Sequence, residues 1–420
     1  MSTLTVEHVA RIEGHGTISV QVENGAVGEI RMDVIEPTRL FESMVVGRRF
    51  DEAPLITSRI CGICSPNHAV TSLKAIEAAL GVEVSERTRL LRTLLVHGSF
   101  LQNHATHLYL LAAPDYVGLP SVVPLAATNP DVVKRALNIK KLGNDLTTAI
   151  GGRPVHPITA VVGGFTAEPS RAELEDLIGR LQAAAHDVAE TVGLFATFDI
   201  PTFETAGEML ALKSETDYAV YDGEVCALDA GWCRPVAEYR DFVSETVVGH
   251  SNAKHSTVDG RTFMVGALPR VNLSWDKLVP SARLVASKAG LRPVARNTFS
   301  NNLCQAIELV DAAERMALLC EKLLDDTGSS KPVEFRIKAG TGSAATEAPR
   351  GTLYHTLSVD DDGLILAGNV ITPTAQNLAN LEADMRAFAP TVAHLPEAEF
   401  VLRIEQLVRA YDPCLSCAVH

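Results

Sequence analysis

Arg59-Ile60-Cys61-Gly62-Ile63-Cys64-Ser65-Pro66-Asn67-His68 opens the stretch that decides the fold. Two cysteines, with two residues between them, stand directly before a helical start. Ser65 is expected to cap the first turn, and Pro66 suits the first helical position, where a missing N–H costs nothing. Ala69, Leu73, Ile76 and Leu80 then recur on one face, and Gly81 ends the run. Gly62 lets the backbone turn tightly enough for both sulfurs to face one ion. The helix end also favours thiolates over thiols.

Outward from there, a second pair stands at the far end of the chain: Cys414-Leu415-Ser416-Cys417, after Pro413, which stops the preceding helical pattern. Four thiolates from two such pairs make a soft, sulfur-rich metal site. A structural tetra-cysteine zinc site is one reading. Zinc ribbons keep their pairs within about 15–20 residues, however, and about 350 residues separate these. A metal joining both ends of a large fold must sit deep in its core. Cys304 and Cys320 lie on a helical pattern and read as small core residues. Cys226 and Cys233 are a further candidate for zinc, without companion ligands.

The 420 residues carry 37 Lys and Arg against 51 Asp and Glu, a formal charge of −14, with 46% hydrophobic and 21% charged residues. That balance excludes a disordered chain, a collagen and a coiled coil, and its acidity argues against a nucleic-acid partner. The first residues lack a basic stretch followed by an apolar run, so no secretory signal is read there. The longest uncharged stretch, Thr93 to Pro114, holds Gln102, Asn103, His97, His104 and His107, and reads as a buried helix. A soluble, cytoplasmic protein is expected. The three histidines are expected to pack and hydrogen-bond inside a helical bundle.

Thr17–Val22 and Ala26–Val34 alternate around Asn24-Gly25, which predicts a β-hairpin. Helices are predicted from Ser65 to Gly81, from Ser85 to Leu111, after Asn129-Pro130, and from Arg171 to Leu194. Further ones cover Ser281–Gly290, Asn302–Leu324, Ala375–Phe388 and Glu397–Tyr411. Tyr218 to Trp275 reads as strands and loops, and Thr352–Val359 with Leu364–Val370 as a hairpin. The expected class is mainly α with β excursions, α+β, around a long-helix bundle. A single catalytic domain over 1–420 is expected: hairpin 17–34, helical core 66–194, mixed region 200–280 and a helical, metal-motif region 281–420.

Four motifs carry a resemblance. The stretch Arg59 to His68 resembles the first metal-binding motif of the nickel–iron hydrogenase large subunit, and Asp412-Pro413-Cys414-Leu415-Ser416-Cys417-Ala418-Val419-His420 resembles its second. Arg11-Ile12-Glu13-Gly14-His15-Gly16 is similar to its N-terminal signature, and Glu347-Ala348-Pro349-Arg350-Gly351 to its active-site arginine motif. They fall in family order from residue 11 to residue 420.

The resemblance implies the following roles. Cys61 and Cys414 would be terminal thiolates on nickel, while Cys64 and Cys417 would bridge nickel and iron. The iron would carry carbon monoxide and two cyanides. His68, one helical turn after Cys64, would hydrogen-bond that bridging sulfur. Arg350, after Pro349, would sit over the nickel, with Asp412 pairing its guanidinium. Arg350 and Cys414 compete as the base that takes a proton from hydrogen, and Glu13 would carry that proton away. Glu42, the Val370 carbonyl and His420 would hold magnesium or another divalent ion; here Leu40 replaces the glycine usual before the aromatic residue. Thr374 would hydrogen-bond a cyanide.

The implied function is the catalytic large subunit of a nickel–iron hydrogenase, with the reversible reaction H2 ⇌ 2 H⁺ + 2 e⁻. It resembles a cytoplasmic, bidirectional branch, possible also at a membrane through partners. An iron–sulfur small subunit would take the electrons, with further flavin or iron–sulfur subunits beyond it. A hydrogen-sensing homologue and a zinc-stabilised scaffold are the alternatives.

Overall fold

The computed structural model describes residues 2–6, 9–23 and 26–420. The chain begins with a three-stranded antiparallel sheet of β1 (Ser2–Val6), β2 (Gly16–Glu23) and β3 (Ala26–Val34). Gly16 pairs with Val34 and Glu23 with Ala26; the expected turn at Asn24-Gly25 lies outside the described residues. Alternation buries Ile18, Val20, Ile30, Met32 and Val34 on one face.

Helix α1 (Ser65–Leu80) ends at Gly81, whose left-handed φ of 70° closes it on the Glu77 carbonyl. Its cap differs from expectation. Cys64 is the N-cap, and Ser65 Oγ instead accepts the His156 N–H at 2.9 Å. Helix α2 (Glu86–Thr106) is capped by Ser85, which accepts the Thr88 N–H at 3.1 Å. It does not continue as an α-helix to Leu111. A π-helical turn covers His107–Ala112, ahead of Pro114. Arg92 of α2 meets Glu77 of α1 through two bonds of 2.6 Å, both side chains buried.

Helix α3 (Pro130–Gly151) packs closely on α2. A Cβ at Gly143 would lie 2.8 Å from the Gly98 carbonyl and 2.9 Å from the Gln102 nitrogen, so only glycine permits this approach. The helix expected over Arg171–Leu194 is two, α4 (Arg171–Ala183) and α5 (Ala185–Ala196), broken at Ala184. The local sequence holds no breaker there. Both halves lie against α7, described below.

The region read as strands and loops contains a four-stranded sheet. Its strands are β4 (Glu208–Lys213), β5 (Glu224–Ala227), β6 (Cys233–Arg234) and β9 (Phe263–Met264), in the order β9-β4-β5-β6. A separate hairpin joins β7 (Val243–Thr246) to β8 (His255–Val258). Cys226 and Cys233 face each other across β5 and β6 and form a disulfide, which overturns the zinc candidate. Helix α6 (Pro280–Lys288) precedes the long α7 (Asn301–Asp325), where Cys304 and Cys320 are free and buried as expected.

An antiparallel sheet follows: β10 (Gly340–Ala348), β11 (Gly351–Val359) and β12 (Ile365–Ile371). β10 escaped the sequence reading because Gly, Ala and Glu, all depleted in strands, make up six of its nine residues. α1 lies directly on it, and a Cβ at Gly342 would meet the Ala75 carbonyl at 2.1 Å. Helices α8 (Pro373–Val392) and α9 (Glu397–Ala410) complete the chain before a last turn, Leu415–Ala418. Among the described residues no helix is long and apolar enough to cross a membrane.

Candidate metal centre

The two cysteine pairs meet. Each stands at a helix start: Cys64 is the N-cap of α1, and Cys414 the N-cap of the last turn. Cys64 N–H donates to Cys61 Sγ at 3.2 Å, which curls the first pair around one point. Cys61 Sγ lies 3.8 Å from Cys414 Sγ, and Cys414 Sγ 2.7 Å from Cys417 Sγ. Cys64, Cys417 and a His68 nitrogen lie within 4.8 Å of one another. All four thiols are free and buried. Hydrogen bonds from Cys414, Cys417 and Cys64 pull the Cys61 pKa well down, while burial pushes that of Cys414 well up.

Two devices bring the chain ends together. Glu13 and Cys414 form a short parallel bridge, with the Leu415 N–H on the Glu13 carbonyl at 2.9 Å. Arg39 donates its main-chain N–H to the Val419 carbonyl at 2.9 Å. Its guanidinium reaches the Ile60 carbonyl at 2.6 Å and also the Ser416 carbonyl. Arg39 thus ties the first pair to the second. No sequence signal singled it out beyond its place in Arg39-Leu40-Phe41-Glu42.

Arg350 occupies a two-residue turn between β10 and β11 with Pro349. Its Nε donates to Asp412, at 2.8 Å to the carbonyl and 3.1 Å to Oδ1. Nη1 is buried and has no hydrogen-bond partner. Burial opposes the guanidinium charge, yet Asp412 and the sulfurs of Cys414, Cys61 and Cys64 outweigh it and raise the pKa above its ordinary value. Asp412 is held in turn by Asn103 Nδ2 at 2.7 Å and Gln305 Nε2 at 3.0 Å. Burial would raise its pKa, but Arg350 dominates and lowers it. Asn103 and Gln305, like Arg270 beneath the turn, were not foreseen. Arg270 donates to the Ala348 and Pro349 carbonyls at 3.0 and 2.8 Å and pairs with Glu308 and Glu347. Buried polar residues inside apolar runs were the available signal.

Glu13 Oε2 lies 3.0 Å from Cys414 Sγ. Ser416 aims this carboxylate through its N–H at 3.1 Å and its hydroxyl at 2.7 Å. His15, two residues on, pairs instead with Glu36 at 2.6 Å.

His68 Nδ1 is 3.2 Å from His355 Nε2, and His355 Nδ1 is 2.8 Å from Ser72 Oγ, itself 2.7 Å from Thr57 Oγ1. Burial pushes both imidazole pKa values down, that of His68 to about 3, so each ring carries one proton. His68 Nε2 is buried without a partner. If Nε2 carries the proton, Nδ1 accepts from His355 and Ser72 donates to His355. The relay can therefore select the tautomer that offers N–H to a sulfur. His355 was not foreseen. The other histidines match expectation in part. His104 bonds Glu308 at 2.8 Å, and His107 bonds Gln305 at 2.6 Å and the Arg409 carbonyl at 2.8 Å. His97 packs with neither nitrogen bonded.

Glu42, Val370 and His420 also converge. His420 Nε2 lies 2.5 Å from the Val370 carbonyl and 4.0 Å from Glu42 Oε1. Glu42 Oε1 accepts the Val370 N–H at 2.8 Å, and Lys254 Nζ stands 3.9 Å from Oε2. Leu40 has φ 58°, the left-handed region that favours glycine, which accounts for the glycine of the family pattern. Thr374 Oγ1 accepts the Cys414 N–H at 3.0 Å, leaving its own O–H to donate.

Soft sulfur donors, an unpartnered buried cation and an unpartnered imidazole nitrogen fit an anionic nickel–iron group. Residues 39–134 and 208–420 match the nickel-dependent hydrogenase family, and residues 3–36 match a HoxL-like family. Sulfhydrogenase 1 subunit alpha of Pyrococcus furiosus is 38% identical, over 99% of this chain and 97% of that protein. NAD-reducing hydrogenase HoxS subunit beta of Cupriavidus necator is 29% identical, over 99% and 94%. A crystal structure of an NAD+-reducing NiFe hydrogenase in the H2-reduced state superposes with a TM-score of 0.90, at 28% identity and over 100% of both chains. Fold and site thus define a hydrogenase, and the chain belongs to the nickel-dependent hydrogenase family. It is the large, catalytic subunit of a nickel–iron hydrogenase, an oxidoreductase acting on hydrogen. The family implies a nickel–iron centre, and hydrogenase large subunits work with small or electron-transfer subunits.

Proposed function

We propose that Cys414 takes the proton of heterolytically split H2 and passes it to Glu13. The 3.0 Å contact between Cys414 Sγ and Glu13 Oε2 carries this reading. Cys61, Cys64, Cys414 and Cys417 would hold the nickel–iron centre through their four sulfurs. When bound, that centre supplies the two-electron chemistry of H2 cleavage. Ser416 keeps the Glu13 carboxylate turned toward the sulfur. Arg350 acts as a fixed positive charge over the site rather than as the base, because its surroundings strengthen its hold on its proton. Asp412 orients it. His68 Nε2, without a partner in the protein, would offer its N–H to the Cys64 sulfur once the site is loaded.

The Thr374 hydroxyl and the Pro349–Arg350 turn would offer hydrogen-bond donors to cyanide ligands accompanying carbon monoxide on the iron of that centre. Glu42, the Val370 carbonyl and His420 would hold a magnesium ion; their convergence supports this, and two of the three donors are the oxygens a hard cation favours. Electrons leave through a partner subunit carrying iron–sulfur clusters. Among the described cysteines, the four outside the metal site are a disulfide pair and two isolated thiols. The likeness to NAD-reducing enzymes supports a nicotinamide-linked acceptor and a cytoplasmic setting.

Glu13→Gln tests the reading. It keeps size and hydrogen bonding but cannot ionise. Hydrogen–deuterium exchange with solvent should fall by ~10²–10⁴, the span for a lost acid–base group, with nickel and iron still bound. Exchange at the parental rate would route protons elsewhere.

A further inference from the structure

Away from the cysteines, His250, His255 and Glu382 bring three ligand atoms within 4.8 Å of one another. Glu382 lies on α8, eight residues and so about 12 Å of helix rise beyond Thr374. His255 opens β8, and His250 sits in the loop between β7 and β8. Glu382 Oε1 accepts from His250 Nε2 at 2.7 Å and from the Met32 N–H at 3.0 Å. Its Oε2 accepts from Arg386 at 3.0 Å. His255 is 8% exposed, and its Nε2 is buried without any hydrogen-bond partner. A buried nitrogen left unpaired is costly, and this one has two metal-ligating neighbours.

We propose that His250, His255 and Glu382 bind a zinc-type divalent ion that clamps the β7–β8 hairpin to α8. Two imidazoles and one carboxylate with an open fourth position suit Zn2+. Ligand distances of about 2.0–2.2 Å put tetrahedral donors about 3.3–3.6 Å apart. The present atoms stand 2.7 Å apart between His250 and Glu382, and none is more than 4.8 Å from another, so small side-chain shifts reach that spacing. The ion takes the place of the proton between His250 Nε2 and Glu382 Oε1, which leaves to solvent. The His250 ring is 23% exposed, so ion and water can enter from its side. Arg386, whose side chain is half exposed, can release the carboxylate outward. The clamp fixes the helix whose first turn carries Thr374, against the Cys414 N–H.

The test uses the complete enzyme with nickel and iron in place. After mild chelation it is titrated with Zn2+ against a chromophoric zinc indicator. The parent should take up about one equivalent more than His255→Gln, and zinc should raise only the parent's thermal midpoint. Nickel and iron contents should match throughout. His250→Ala, at a partly exposed ring, supplies a second variant that leaves Glu382 bonded to the Met32 N–H and Arg386. Equal zinc uptake by the parent and both folded variants, with no difference in thermal response, overturns the proposal.

Discussion

Arg350 sits in a turn that leaves its guanidinium little choice of direction. Gly351 follows with φ 136°, and a Cβ there would lie 2.4 Å from Val265 Cγ2. Beneath, Arg270 holds the carbonyls of Ala348 and Pro349. The side chain therefore meets Asp412 through Nε and keeps Nη1 free. Lysine preserves the charge but not the planar fork. Arg350→Lys displaces the charge from the position the fork fixes and should lower hydrogen oxidation with an artificial acceptor by ~10²–10³, the span for losing one preorganised electrostatic group, with nickel and iron content unchanged. Near-parental turnover would mean that the charge alone suffices.

Helix α2 carries a polar load on a buried surface. Arg92, His104 and Asn103 each find partners, but His97 does not. Burial, aided by the charge of Arg315 and opposed by Glu308, lowers its pKa to about 3. The folded state thus leaves His97 neutral where the unfolded chain, with an ordinary histidine pKa near 6.5, binds a proton. His97's neutral form costs nothing extra above that value. As pH falls from about 6.5 toward 3, stability drops by up to about 1.4 kcal/mol per unit. His97→Leu should remove this dependence and raise neutral-pH stability by about 1–3 kcal/mol, by deleting two unpaired buried nitrogens. Acid titration followed by circular dichroism reads both effects. An acid midpoint no lower than the parent's would contradict the account.

Across the whole molecule, buried ion pairs join segments far apart in sequence. Arg409 on α9 bonds Asp115 at 2.5 and 2.9 Å, and the Ala10 carbonyl at 2.7 Å. Arg11 shares the same carboxylate. This knot holds the segment before β2, which carries Glu13, against the helix that leads into Asp412 and Cys414. Arg409→Met leaves Asp115 buried with one cation fewer and should cost about 3–5 kcal/mol. The denaturant midpoint measures it. A loss below about 1 kcal/mol would show that Arg11 alone satisfies Asp115.

The sequence by itself determined what depends on neighbours along the chain. Cys61 and Cys64 lie before a helix because Pro66, the apolar period and Gly81 are local signals; β2 and β3 follow from alternation, and β11 with β12 from the turn at Asp361-Asp362-Gly363. The four motifs put forward a ligand set by residue type and order alone. Only the tertiary structure decided what those residues touch. Cys61 meets Cys414 because Arg39 and the Glu13 bridge close the ends of the chain, contacts between residues with no local relation. His355 reaches His68 from a strand that packs on α1. β10 becomes a strand because glycine and alanine let a helix lie on it, not because its residues favour extension. The disulfide at Cys226 and Cys233, the π-turn after Thr106 and the break at Ala184 have the same origin. Local propensities there are weak, and packing between distant elements exceeds them.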